Sequence, residues 1–166
     1  MKTVEGKSLI RTLGMDYLRQ VSVFGALSEA GVEFLMSRGR VLALDGGEVL
    51  YEPGDRGDCF FVVLQGSLSF YQQHEGQLAH VRDLEVGEEM GFCAMIALHD
   101  RVGRPVAAGP CLVLEVTSAQ FYDLHEERPT DFGLLLLNLA RGMARTLRDV
   151  SDHVAEQALR QRRAAG

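Results

Sequence analysis

The spacing of apolar positions along the chain changes twice. Leu9, Leu13, Tyr17, Leu18, Val21 and Phe24 recur at helical spacing until Gly25 interrupts them. Ser28 is placed to cap a second short helix that turns Val32, Leu35 and Met36 inward. From residue 41 the pattern becomes short β-rich runs: VLAL at 41–44, EVLY at 48–51, CFFVVLQ at 59–65, SLSFYQQ at 67–73 and LAHVRDL at 78–84. Asp45-Gly46-Gly47, Pro53-Gly54-Asp55 and Gly57-Asp58 supply turns between them. Further strands are predicted at 104–108 and at CLVLEV, 111–116, and so many short strands predict a closed antiparallel sandwich or jelly roll.

After Pro129 the pattern is that of one long helix. Leu136, Ala140, Met143, Leu147, Val150 and Val154 follow one another at steps of four and three, the 3.5-residue stripe of a coiled-coil seam. Arg141, Arg145, Arg148 and Asp152 flank it with charge, and the seam predicts a homodimer through this helix. The competing expectation is that the stripe packs on the chain's own barrel. The seam fades at Gln157 and Gln161, so Arg160, Arg162 and Arg163 are expected in a loose, solvated basic tail. The fold class is therefore α+β: an antiparallel β-roll or jelly-roll barrel flanked by N-terminal helices and a long C-terminal helix. Residues 1–128 would hold the N-terminal helices and the roll, and residues 129–166 the dimerisation helix and tail.

Composition narrows the function. The 166 residues suit one domain, and 46% hydrophobic with 24% charged residues is the balance of a chain that buries a core. A formal charge of -6 repels phosphate backbones and argues against a general nucleic-acid binder. Residues 1–128 carry 11 basic and 19 acidic side chains, and residues 129–166 carry 6 and 4. Cys59, Cys93 and Cys111 are widely spaced and form no C-x-x-C pair, which fits small buried apolar residues in a reducing compartment. No run reaches membrane-span length, and MKTVEGKSLIRTLG lacks the apolar centre of a signal peptide, so a cytoplasmic protein with no membrane partner is expected.

Two segments carry chemistry. Glycines 47, 54, 57 and 66 punctuate the stretch from Gly47 to Gly66, GEVLYEPGDRGDCFFVVLQG, and farther on lies Gly87-Glu88-Glu89-Met90-Gly91-Phe92, followed by Arg101 ten residues after Gly91 and Ala107 six residues after that. The first stretch resembles the first hairpins of the cyclic nucleotide-binding domain family, which includes catabolite activator proteins and the regulatory subunits of cyclic-nucleotide-dependent kinases. In that family the ligand cassette reads Gly-x-x-aromatic/apolar-Gly-Glu, then Arg-Ser/Thr-Ala about ten residues on. The resemblance implies that the backbone at Gly91, with a helical turn formed by Cys93 to Leu98 and including Ala94, approaches a cyclic phosphate. It implies that Arg101 pairs with the phosphate charge through its planar fork. Arg104 would serve instead only if the loop carried three extra residues.

The chain departs from the family at four positions, three in the cassette and one on the long helix. Phe92 stands at the glutamate that accepts the ribose hydroxyl, an exchange expected to cost about 1–3 kcal/mol of binding. Val102 replaces a phosphate-binding Ser or Thr, Gly103 replaces a small alanine, and of a Thr-Ser pair that some bacterial members present to the base only Ser151 survives. Cyclic AMP or cyclic GMP is thus expected to bind weakly, or the ligand is another anionic small molecule. Phe92 would be either an apolar plug of the pocket or a stacking surface for a planar ligand. Changing it to Glu should raise cyclic nucleotide affinity if the pocket is otherwise whole.

Other chemistries find little support. His74, His80, His99, His125 and His153 are scattered singly, unlike the clustered ligands of a jelly-roll metalloenzyme, and no nucleophile motif, P-loop or dinucleotide fingerprint appears in strand-to-helix context. No cofactor is implied, and no helix-turn-helix segment is expected after residue 163, so direct DNA binding is not expected. The residues support a regulatory sensor without a reaction of its own, signalling through its C-terminal helix. The alternative is a ligand-free scaffold whose long helix pairs with itself or with an unidentified protein partner.

Overall fold

In the computed structural model, which describes residues 1–164, helices precede and follow a roll of two antiparallel sheets. A first strand, β1 (Lys2–Val4), leads into α1 (Gly6–Leu13) and α2 (Met15–Gln20), then a 3₁₀ turn at Ser22–Phe24 and α3 (Glu29–Arg38). The opening helical pattern is therefore split, because Gly14 takes φ +84°, a left-handed conformation that interrupts the helix. Ser28 caps α3 as expected, its hydroxyl accepting from the Gly31 N–H at 3.0 Å. Val32, Leu35 and Met36 all face inward.

The roll follows as β2 (Arg40–Leu44), β3 (Cys59–Gln65), β4 (Leu68–His74), β5 (Gln77–Leu84), β6 (Glu89–Met90), α4 (Phe92–Ala97), β7 (Gly103–Ala107) and β8 (Cys111–Thr117). One sheet runs β1-β2-β8-β3-β6 and the other β5-β4-β7, which is the expected jelly-roll-like α+β architecture. The predicted strand EVLY is reduced to an isolated bridge between Val49 and Val106, while β1 and β6, three and two residues long, fall below the length at which alternation is readable. The unpredicted helix α5 (Ser118–Glu127) starts at a capping box, in which Thr117 accepts from the Gln120 N–H and Gln120 accepts from the Thr117 N–H.

β3 divides the interior. Phe60, Val62 and Leu64 join a core shared with the helices, whereas Cys59, Phe61 and Val63 join the core between the two sheets. Burial on both faces explains why this strand reads as an unbroken apolar run. The long helix α6 (Pro129–Ala164) begins on proline, whose missing N–H costs nothing at a first helical position. Its Leu135 and Leu139 are buried against the helix-side core, and Met143 is packed on its edge.

Apart from Met143, the coiled-coil stripe faces elsewhere: Leu147 is 68% and Val154 59% exposed, and Leu136, Ala140 and Val150 are exposed too, so these positions do not pack on the chain's own roll. The arginines expected in a loose tail, Arg160, Arg162 and Arg163, are instead helical, as the good helix formers around them favour, although exposed. Residues 165 and 166 of that expected tail lie outside the described residues.

Asp131 fastens α6 to α3. Its carboxylate is 7% exposed and accepts both the Ser28 backbone N–H and the Ser28 hydroxyl at 2.8 Å, while that hydroxyl caps α3. Asp131→Ala leaves the Ser28 donors unpaired and should cost about 1–3 kcal/mol. A thermal melt should fall by roughly 2–10 °C; an unchanged midpoint would show that the Asp131–Ser28 bonds are not needed to hold α6.

Candidate functional site

Arg101 is brought to the centre of the roll by the loop after α4. Its N–H donates to the Asp55 carbonyl and its carbonyl accepts from the Gly54 N–H, each at 2.8 Å, which fixes the loop against the turn before β3. The side chain then runs inward and is only 4% exposed. Nη1 donates to the Gly91 carbonyl at 3.0 Å; Nη2 donates to the Cys59 carbonyl at 2.6 Å and lies 3.1 Å from the Cys59 Sγ. The guanidinium carbon sits 4.6 Å from the centroid of the Tyr51 ring and 5.5 Å from that of Phe61. These rings are themselves stacked at 5.7 Å.

Among the described residues this charge has no partner of opposite sign. None of the ion pairs among the described residues includes Arg101. The two titratable side chains that touch it are neutral at physiological pH: burial pushes the Cys59 thiol up to about 11 and the Tyr51 phenol up to about 12, in each case against the opposing pull of Arg101. Carbonyl dipoles and ring faces offset part of the cost of burying a guanidinium but do not neutralise it. Such a group attracts an anion that can exchange for the Cys59 and Gly91 carbonyls. Arg104, the alternative cation, is engaged by Glu52 through two bonds of 2.7 Å at the surface.

Gly91 is required beside this arginine. It takes φ +84°, and a Cβ there would overlap the Arg101 Nη1, so backbone conformation and close approach both demand glycine. The other sequence-predicted residues are placed less uniformly. Ala94 is buried on α4, facing Gly57, while Cys93 is exposed on the same helix. Val102 is 52% exposed, and its carbonyl accepts from the Gln73 N–H. Ser151 is exposed on α6 and its hydroxyl donates to the Leu147 carbonyl of its own helix, so it is not gathered with Arg101. The α6 residues that face the roll at this level are Gly142, Arg145, Thr146 and Asp149, across a cleft from Arg82, Gly87, Glu88 and Glu89.

Phe92 is neither a plug of the roll nor a stacking surface within it. Its side chain is 1% exposed in the helix-side core, edge-to-face with Phe60 at 5.6 Å and with Phe121 at 5.8 Å. Only its backbone reaches the β6–α4 corner, its N–H donating to the Glu89 Oε2 at 3.3 Å. Tyr51, Cys59 and Phe61, which surround the guanidinium, were not singled out from the sequence. All three lie in the glycine-punctuated stretch that carries the family resemblance, which is the signal that could find them.

Comparison with known proteins agrees with this architecture. The family model for the cyclic nucleotide-binding domain matches residues 41–128, more than half of the chain. The chain belongs to the cyclic nucleotide-binding domain family. Over 98 residues it is 31% identical to the cGMP-dependent protein kinase egl-4 of Caenorhabditis elegans, a match that covers 58% of this chain and 13% of the kinase. Among solved structures, a cyclic nucleotide-binding domain from Methylobacillus flagellatus superposes with a TM-score of 0.81 at 19% identity, over 94% of this chain and 88% of the other. The catabolite activator protein of Thermus thermophilus superposes with a TM-score of 0.69 at 22% identity, over 82% and 63%. At these identities the two structures show the fold. No helix among the described residues is long and apolar enough to cross a membrane.

The placement of Phe92 reverses the expected effect of its substitution. Phe92→Glu would put a carboxyl into an aromatic cluster, adding the cost of a buried charge to the about 3–5 kcal/mol lost with a buried phenyl ring. The variant should unfold well below the wild type in a thermal melt. A Phe92→Glu protein of wild-type stability with tighter cyclic nucleotide binding would mean that the side chain at this position faces the roll interior.

Proposed function

We propose that the protein is a regulatory sensor of an anionic small ligand of the cyclic AMP or cyclic GMP class, with no reaction of its own. The observation that carries the reading is the buried Arg101 guanidinium, held by carbonyls, a neutral thiol and aromatic faces with no counter-charge. The ligand's phosphate exchanges for the Cys59 and Gly91 carbonyls, and Gly91 leaves room for that approach. The curated relatives, of which the chain spans about 13%, are cGMP-dependent kinases, and family membership supports a nucleotide ligand. With Phe92 turned into the core, the ribose finds no glutamate at that position, so affinity is below that of a full cassette. Three unpaired thiols fit a reducing compartment, and we place the protein in the cytoplasm.

The output runs through α6. Asn138 on that helix donates to the Val23 and Gly25 carbonyls at 3.1 and 2.7 Å, and the neighbouring Ser22 hydroxyl donates to the Gly87 carbonyl at 2.7 Å. Gly87 opens the segment that ends at Gly91, so a shift of Gly91 when Arg101 is recruited bears on the 3₁₀ turn and thence on α6. The exposed stripe Leu136, Leu147, Val150 and Val154 is the seam of a homodimer, in which this helix reports occupancy to a second copy. A second reading, a ligand-free dimerisation scaffold, is favoured by one observation: Tyr51 and Phe61 already cover the guanidinium.

Calorimetry with cyclic AMP and cyclic GMP separates the two readings. Saturable binding by the wild type, weakened about 10- to 150-fold in Arg101→Gln, is expected if the lost contacts are charge-assisted hydrogen bonds worth about 1.5–3 kcal/mol. Absence of heat at millimolar nucleotide would favour the scaffold. For the dimer, Leu147→Asp should reduce the mass in light scattering to that of one chain; an unaltered mass would refute the seam.

A further inference from the structure

The corner between β6 and α4 has two sides that carry opposite chemistry. Met90 pairs in register with Phe61 and Glu89 with Val62, so the two β6 side chains point to opposite faces of the sheet. Met90 joins the core between the sheets with Phe61, and one residue beyond it the Gly91 carbonyl holds Arg101. Glu89 turns to the helix side, where it lines the cleft against α6. Its Oε2 accepts the Phe92 N–H at 3.3 Å and it forms no ion pair among the described residues, the nearby Arg82 being engaged by Glu88 at 3.1 Å.

The charged and titratable groups around Glu89 come from every neighbouring element: Arg82 on β5, Glu88 beside it, Cys93 on α4, and Arg145 and Asp149 across the cleft on α6. Three are acids or a thiol and two are arginines, so the surroundings do not compensate the carboxylate. Loss of solvent pushes its carboxyl up to about 7, against the pull of the Phe92 N–H and Arg82. The Glu89 charge also reaches the guanidinium's surroundings, because the Tyr51 ring that covers Arg101 lies in the fields of both groups.

We infer that Glu89 couples capture of an anion at Arg101 to the uptake of a proton: the carboxylate opposes a second negative charge at the Gly91 corner, and the neutral carboxyl admits it. This inference rests on the reading of Arg101 as an anion site and adds a regulator to it. The sign follows from linkage. A bound anion disfavours the carboxylate and holds the proton more firmly, so affinity rises as pH falls through the region around 7 and up to one proton is taken up per anion. If only the neutral form binds, affinity between about pH 8 and about pH 6 changes by up to about tenfold.

The test is calorimetry of the full chain with cyclic AMP at about pH 6 and about pH 8, each in two buffers of different ionisation enthalpy. The ligand's cyclic phosphodiester keeps one negative charge throughout this range, so its own titration does not enter. The wild type should bind up to about tenfold more tightly at the lower pH, with net proton uptake. Glu89→Gln, which keeps the size of the side chain, should bind equally at both and at least as tightly as the wild type at the lower pH, without uptake at this site. Binding by the wild type with no proton uptake, or with a pH dependence unchanged in Glu89→Gln, would overturn the coupling and leave the anion site standing. Absence of binding by both proteins at both pH values would overturn the anion site and the coupling with it.

Discussion

A positive charge buried without a negative one organises this molecule. The Arg101 guanidinium must be held by whatever dipoles and ring faces the roll supplies, and each supplier is constrained in turn. Gly91 has no room for a side chain, β3 must present the Cys59 carbonyl and the Phe61 ring, and Tyr51 must lie over the guanidinium from the segment before it. The loop bonds of Arg101 to Gly54 and Asp55 fix the approach of the side chain. An antiparallel roll of two sheets is suited to this because it converges backbone from β3, the β6–α4 corner and the loop before β7 on one interior point.

The same strand separates that point from the helical layer. β3 gives one face to the site and the other to the helices, so Phe61 and Phe60 belong to different cores although they are neighbours in the chain. Phe92 follows the second face and binds α4 to α5 through Phe121, while Gly91 serves the first. The corner from Gly91 to Phe92 thus joins the guanidinium's surroundings to the helical layer within two residues. Ser22, Val23, Gly25 and Asn138 carry the hydrogen bonds from Gly87 to α6.

The fold was largely legible in the sequence because the signals were local. The run CFFVVLQ is β3, the Ser28 cap is formed, and the spacing from Gly91 to Arg101 brings the two together. Signals that depend on distant partners were not legible. The cover over Arg101 joins Tyr51 and Cys59 to a residue more than 40 positions away, and nothing in local spacing announces it. The direction of Phe92 is set by the register of a two-residue strand, too short to show alternation. Helix α5 is hard to read from the sequence although Thr117 and Gln120 form a capping box, because its apolar positions continue directly from β8. Ser151 was placed by its position in a family pattern, whereas the α6 face that meets the roll is set by Leu135, Leu139 and Gly142 and continues to Thr146.

Exchange of the backbone carbonyls that hold Arg101 for an anion would change the surroundings of the guanidinium itself. Nitrogen–proton correlation spectra of the arginine Nε–H groups report this directly, with the Arg101 signal assigned by its loss in Arg101→Lys. On addition of cyclic AMP that signal should shift to a new saturable position as the guanidinium leaves the Cys59 carbonyl. A signal that stays in place while resonances elsewhere in the protein respond to the nucleotide would contradict the account.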